Sequence, residues 1–237
     1  MKLKVRDVHA AYQRDLFILR GVDIDAAKGR ISIVIGPNGS GKSTLLKSIA
    51  GILKPRKGII HFDGEDITGI ELDELIQLGI SYIPQDRAVF PQMSVTENLK
   101  LGCWIFRKDR AKVQKQVHWA LERFSALSGK DKLLAGTLSG GLQRILDIAK
   151  ALLPNPSLLL VDEPTVGLSP LVAKTIYKEL LELKEEGRTI LLVDQDVRSA
   201  MKIADYVYVL ELGKVKIHGQ KEAFEGRLGE IVRSWLI

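Results

Sequence analysis

The sequence predicts an α/β fold with a mainly parallel core sheet, an N-terminal antiparallel β subdomain and an inserted α-helical subdomain. Three observations carry this. Ile31-Ser32-Ile33-Val34-Ile35, Leu158-Leu159-Leu160-Val161 and Thr189-Ile190-Leu191-Leu192-Val193 are apolar runs without alternation, as in parallel strands buried on both faces. Residues 3–8 and 58–64 instead show the alternation or flanking glycines of antiparallel strands. Between Gln85 and about Leu153 strand signals vanish, and apolar residues recur at helical spacing, as at Val113, Val117, Ala120, Leu121 and Phe124.

Taken in order, the N-terminal strand is followed by the buried strand 31–35, a Gly-rich turn and a helix over 44–50. The second antiparallel strand and a fourth buried strand, Gly79 to Pro84, come next. The helical insert ends in a helix over 143–153, which leads into the strand that starts at Leu158. A helix at about 171–186 precedes the strand 189–193. Phe224, Leu228, Ile231, Val232 and Trp235 keep approximate helical spacing near the C-terminus. The expected organisation is a single domain over 1–237, with 1–85 and 154–237 forming core and antiparallel sheet, and about 86–153 forming the helical subdomain.

The chain has 237 residues, 46% hydrophobic and 27% charged, enough for one sizeable core. It lacks the roughly 18 uninterrupted apolar residues that a membrane span needs, and Met1 to Val5 lacks the apolar block of a signal peptide. It therefore reads as cytoplasmic. The single cysteine, Cys103, makes no internal disulfide and reads as a small apolar residue. A net charge of +6 raises the question of nucleic acid. The basic clusters at 54–57 and 107–110 are short and carry no interleaved aromatics for base stacking, so no nucleic-acid partner is expected.

Gly36-Pro37-Asn38-Gly39-Ser40-Gly41-Lys42-Ser43-Thr44 fits the phosphate loop G-x-x-x-x-G-K-[ST], and it stands between a predicted strand and a predicted helix. Glycines let successive N–H groups converge on phosphate oxygens, and the helix start adds positive potential. Lys42 then reaches the β and γ phosphates and Ser43 ligates Mg²⁺. Asp162 and Glu163 end a buried strand, where an unpaired carboxylate is costly. Two readings stand: Asp162 holds Mg²⁺ while Glu163 polarises an attacking water, or the pair caps the next helix.

Leu138-Ser139-Gly140-Gly141 again places a hydroxyl and flexible backbone ahead of a helix. Phosphate loop, Leu-Ser-Gly-Gly and Asp162-Glu163-Pro164, in this order, resemble the ATP-binding cassette ATPases of ABC transporters over essentially the whole chain. The resemblance implies ATP and Mg²⁺ as cofactors, and a second cassette, identical or related, whose ATP site is completed by Ser139, Gly140 and Gly141. It also implies transmembrane permease subunits, an extracytoplasmic solute-binding protein, and a place on the inner face of the cell membrane. Gln85 matches the family's lid glutamine, which contacts Mg²⁺. Tyr12 matches the aromatic that stacks on adenine; the residue alone reads equally as surface or core. Residues 166–169 match the loop that links the two sites.

Three positions depart from the common pattern. Gln195 stands where many cassettes carry a histidine against the γ-phosphate; it keeps a donor and an acceptor without a titratable charge. Leu142 replaces a usual Gln or Glu, and Ser169 a frequent Asp. Residues 167–170 and 192–195 resemble the branched-chain amino acid importer branch, as do residues 90–99. In that last segment Phe90, Met93 and Val95 are read either as an apolar groove for a permease helix or as core packing of the insert.

Overall fold

The computed structural model describes residues 1–13 and 16–224, together with 226, 229, 233 and 235. In chain order the strands are β1 (Leu3–Gln13), β2 (Leu16–Ala26), β3 (Ile31–Ile35), β4 (Lys57–Phe62), β5 (Glu65–Asp66), β6 (Ile80–Ile83), β7 (Leu158–Asp162), β8 (Thr189–Val193), β9 (Tyr206–Glu211) and β10 (Lys214–Gln220). The helices are α1 (Lys42–Ile49), α2 (Leu72–Leu78), α3 (Val95–Gly102), α4 (Arg110–Arg123), α5 (Gly140–Leu152), α6 (Pro170–Glu185) and α7 (Val197–Ile203).

An antiparallel sheet runs β2-β1-β4-β5, and the core sheet runs β10-β9-β3-β8-β7-β6. Every pairing from β9 to β6 is parallel, and only β10 joins its edge antiparallel. All five residues of β3, β7 and β8 are buried, which explains why their hydropathy does not alternate. Their side chains do alternate between two cores. Ile33, Leu159, Val161 and Leu192 join one that includes α3, α5 and α6, while Val34, Leu158, Leu160 and Val193 join another with α1 and the antiparallel sheet.

Register aligns the strand ends. Ile83 is opposite Val161, and Asp162 is opposite Val193, so β6, β7 and β8 finish together beside β3. The residues that follow these strands, Gly36, Gln85, Glu163 and Gln195, thereby gather along the carboxyl edge of a parallel sheet, where α/β folds bind ligands.

Between β6 and β7 the described regular elements are all helical. Helix α3 begins with a reciprocal capping box, Ser94 with Glu97. Helix α5 begins at Gly140 and α1 at Lys42, two or three residues before the apolar periodicity suggests. Helix starts are set by capping geometry, to which periodicity is blind. Strands β2, β9 and β10 have no counterpart among the sequence signals above. In β2, Arg20-Gly21 interrupts the alternation that Val22 to Ala26 keeps, and the β1–β2 ladder shifts register four times. The residues between 224 and 237 whose spacing suggests a C-terminal helix lie largely outside the described residues.

Cys103 is fully buried, and burial pushes its thiol up to about 11, as befits a packing residue. Val95 is also fully buried, so the groove reading of Phe90, Met93 and Val95 is corrected: Val95 belongs to the core, Met93 is half-buried, and Phe90 is 53% exposed.

Candidate active site at the sheet edge

The phosphate loop leaves β3 and enters α1 through Gly41, whose φ of 106° suits only glycine and whose missing Cβ would lie 2.9 Å from Leu19 Cδ2. Lys42 folds back over the loop and donates to the carbonyls of Gly36 (2.9 Å) and Pro37 (3.1 Å). Burial lowers the pKa of this ammonium, against the opposing pull of Glu163, Asp162 and Asp194. The buried Ser40 hydroxyl finds no hydrogen-bond partner among the described residues.

Asp162, 1% exposed, accepts from Ser43 Oγ at 3.0 Å and from the Tyr82 hydroxyl at 3.1 Å. Burial raises its pKa, and these hydrogen bonds together with Lys47 and Lys42 oppose the rise. Glu163 adopts φ 42°, a strained backbone for a residue with a side chain, anchored by its N–H to Val193 O at 2.8 Å. Its Oε2 accepts from Gln85 Nε2 (2.7 Å) and from Gln195 Nε2 (2.6 Å). Burial raises its pKa as well, Lys42 opposes, and Asp162 adds to the rise. Neither carboxylate caps α6, whose N-cap is Ser169.

Tyr12, Asn38, Lys42, Ser43, Gln85, Glu163 and Gln195 thus share one cleft of about 360 Å³, with Gly39, Gly41 and Thr44 beside them. Tyr12 is 56% exposed at its mouth. Gly36, Pro37, Ser40 and Asp162 do not line the cleft; Gly36, Ser40 and Asp162 are buried and Pro37 half-buried. Tyr82 is the partner that motif reading passes over; only its place two residues before Pro84 on a buried strand hints at it.

Ser139, Gly140 and Gly141 do not line this cleft. Ser139 is exposed as the N-cap of α5, and its hydroxyl accepts from Leu142 N at a long 3.4 Å. Gly141 lets α5 approach α6, since a Cβ there would meet Val172 at 2.9 Å. Leu142 is half-buried against the core, which explains why an apolar side chain is tolerated there. Val166, Gly167 and Ser169 are exposed, as is Leu171 at the start of α6.

A larger cleft of about 620 Å³ opens at the amino edge of the sheet, around Arg30, Ser32 and Tyr206. Its charges largely answer one another, Arg6 to Asp25 and both Arg30 and Lys184 to Asp205. No cluster of three or more His, Cys, Asp or Glu suited to a metal occurs among the described residues. The oxygen donors at the carboxyl edge, one carboxylate and a hydroxyl 3.0 Å apart beside a phosphate loop, fit Mg²⁺, which takes one or two carboxylates and completes its shell with phosphate and water.

The family description "ABC transporter" matches residues 19–166. The probable branched-chain amino acid transport ATP-binding protein LivF of Archaeoglobus fulgidus is 41% identical, covering 92% of this chain and 91% of its own length. The high-affinity branched-chain amino acid transport ATP-binding protein BraG of Pseudomonas aeruginosa is 38% identical, over 90% of both. The lipopolysaccharide export ATP-binding protein LptB of Haemophilus influenzae is 32% identical, over 86% and 85%. A dimeric post-hydrolysis structure of the ATP-binding cassette MJ0796 with ADP and Pi superposes with a TM-score of 0.82 at 26% identity, covering 92% of this chain and 98% of that one. The chain belongs to the ABC transporter family, as an ATP-binding subunit that hydrolyses ATP.

Proposed function

We propose that this cassette powers the import of branched-chain or related amino acids, as one of two cassettes closing on ATP beneath a membrane permease. The observation that carries the two-cassette reading is the separation just described: Lys42, Glu163, Gln85 and Gln195 share one cleft, while Ser139 stands exposed outside it, with Gly140 half-buried and Gly141 buried behind it. Similarity to LivF and BraG supports amino acids as cargo, and similarity to LptB favours lipid export as the second reading.

In this reading Tyr12 stacks on adenine at the cleft mouth. Lys42 and the loop N–H groups, with the dipole of α1, hold the phosphates and offset charge on the transferring group. Ser43, Asp162 and Gln85 hold Mg²⁺, which when bound neutralises charge on the phosphate oxygens. Glu163 accepts a proton from the attacking water; its raised pKa brings it nearer the working range of a general base. Gln195 senses the γ-phosphate through its amide. Both Gln85 and Gln195 now donate to Glu163, so nucleotide entry has to redirect at least one of them. Residues 86–153 carry Ser139 to Gly141 toward the partner's ATP as a helical subdomain, and the exposed Phe90 faces a permease helix.

On this view the cassette is peripheral, on the cytoplasmic face of the membrane, and serves a permease fed by an extracytoplasmic solute-binding protein. No helix among the described residues is long and apolar enough to cross a membrane itself. The test is purification of the intact complex and reconstitution in proteoliposomes. A permease and solute-binding protein should co-purify, and leucine-class solutes should stimulate ATP hydrolysis and accumulate. Stimulation by a lipid with indifference to amino acids would reverse the cargo assignment.

A further inference from the structure

Arg144 lies on α5, five residues after Ser139, and is 3% exposed. Its guanidinium donates to three main-chain carbonyls. Nε reaches Pro164 at 3.0 Å, Nη1 reaches Pro84 at 2.5 Å, and Nη2 reaches Asp162 at 3.1 Å. Pro84 immediately precedes Gln85, and Asp162 and Pro164 flank Glu163. One side chain therefore fixes the backbone beside both partners of the Gln85–Glu163 hydrogen bond.

The same face of α5 grips the chain that follows Gln85. Gln143 Oε1 accepts from Arg87 Nη1 at 2.9 Å, Asp147 Oδ2 accepts from Ala88 N at 3.1 Å, and Lys150 Nζ donates to Ala88 O at 2.6 Å. Positions 143, 147 and 150 recur at helical spacing, so α5 and residues 84–88 are tied along two turns. A buried guanidinium is costly, and a planar fork is the cation best able to serve three carbonyls at fixed angles.

We propose that Arg144 is a positioning residue: it couples the helix end at Ser139 to the placement of Glu163 and Gln85, so that docking of α5 on nucleotide sets the line of attack. The proposal rests on the reading of Glu163 as the group that activates water. Arg144 itself does not line the cleft; its hydrogen bonds go to main-chain carbonyls.

The test is a double-mutant cycle on the full chain, with Arg144→Ala and Glu163→Gln read by single-turnover ATP hydrolysis. Misplacement of a catalytic group should lower kcat by about 10- to 100-fold for Arg144→Ala. KM for ATP should stay within about threefold, since the loss is confined to the transition state. In the Glu163→Gln background, Arg144→Ala should cost almost nothing more. An equal loss in both backgrounds, or an unchanged kcat, overturns the proposal. Wild-type turnover in Glu163→Gln alone instead removes the base reading on which it rests.

Nucleotide-free protein gives a readout independent of activity. Arg144→Ala should speed amide exchange in peptides spanning 83–88 and 161–167 and leave β9 and β10 unchanged; uniform acceleration or none overturns the proposal. If the alanine variant does not fold, Arg144→Lys supplies the same tests. Its ammonium cannot span three carbonyls as the fork does, so it should give an intermediate kcat with unchanged KM; loss of ATP binding instead would overturn the positioning role.

Discussion

Two helix starts in this cassette are built from the same materials, serine and glycine, and they behave differently. The start of α1 is enclosed: Lys42 is buried, its ammonium is folded over Gly36 and Pro37, and Ser43 is bonded to Asp162. The start of α5 is bare. Ser139 is exposed, its one capping bond is stretched to 3.4 Å, and among the described residues no acidic side chain shares hydrogen bonds with it. Both helix ends offer N–H groups and positive potential to an anion. The difference teaches that what makes a phosphate site within one chain is the acidic and amide equipment around the helix start, and of these two starts that equipment stands at α1.

The comparison breaks most visibly at the carboxylate. Glu163→Gln should slow steady-state ATPase turnover by about 10²- to 10⁴-fold, the share of a positioned general base, while ATP-held dimers accumulate on gel filtration. Fast turnover, or a variant that remains monomeric with ATP, would show that the α1 site does not need this equipment.

At α5 the sharper probe is Ser139→Asp. Aspartate caps helices as well as serine does, so folding should be unaffected. A carboxylate brought against a partner's bound phosphate should nonetheless cost several kcal/mol, about a hundredfold or more in turnover, by like-charge repulsion. Binding of a fluorescent ATP analogue to the isolated chain should not change. If the variant hydrolyses ATP normally, Ser139 never meets nucleotide.

A smaller loss is expected from Gln195→Ala, which removes an amide donor to the Glu163 carboxylate and, in the proposed reading, to the γ-phosphate. Roughly 1.5 to 3 kcal/mol, about 10- to 100-fold in kcat, is the scale of such a charge-assisted contact. An unchanged rate would assign Gln195 to the turn before α7 and nothing more. Smallest of all, Ser139→Ala should lower stability by less than about 1 kcal/mol in urea titration, because the cap it removes is already long. A larger loss would mean that Ser139 serves α5 itself before it serves a partner.

Much of the active edge was legible in advance because its motifs are local. Gly36 to Thr44 declares its loop by glycine spacing, and the buried strand ending in Asp162-Glu163 declares its carboxylates by their cost. What escaped was relational. Tyr82 bonds Asp162 across 80 positions, and Arg144 reaches carbonyls 18, 20 and 60 positions away. A lone Tyr on a strand or a lone Arg on a helix carries no pattern that announces such a partner. Strands β9 and β10 are a different case. Tyr206 to Leu210 is an unbroken β-rich run of the same kind as β3, β7 and β8, and Leu212-Gly213 turns it back, so β9 was legible; β10 alternates polar with apolar residues on an edge and is the weaker signal. Val95 was ambiguous by composition and resolved only by burial.

By itself, then, the sequence determined the central elements and which residues carry charge: buried parallel strands from unbroken apolar runs, a phosphate loop from its glycines, and a family from the order of three motifs. Only the tertiary structure decided who meets whom. Parallel register brought Gln85, Glu163 and Gln195 to one edge, because strand ends align in space without regard to distance along the chain. Packing of α5 across that edge placed Arg144 among the carbonyls and left Ser139 facing outward. Hydrophobic burial is non-directional and can be read from composition, whereas hydrogen bonds between distant segments depend on angles that exist only once the fold has closed.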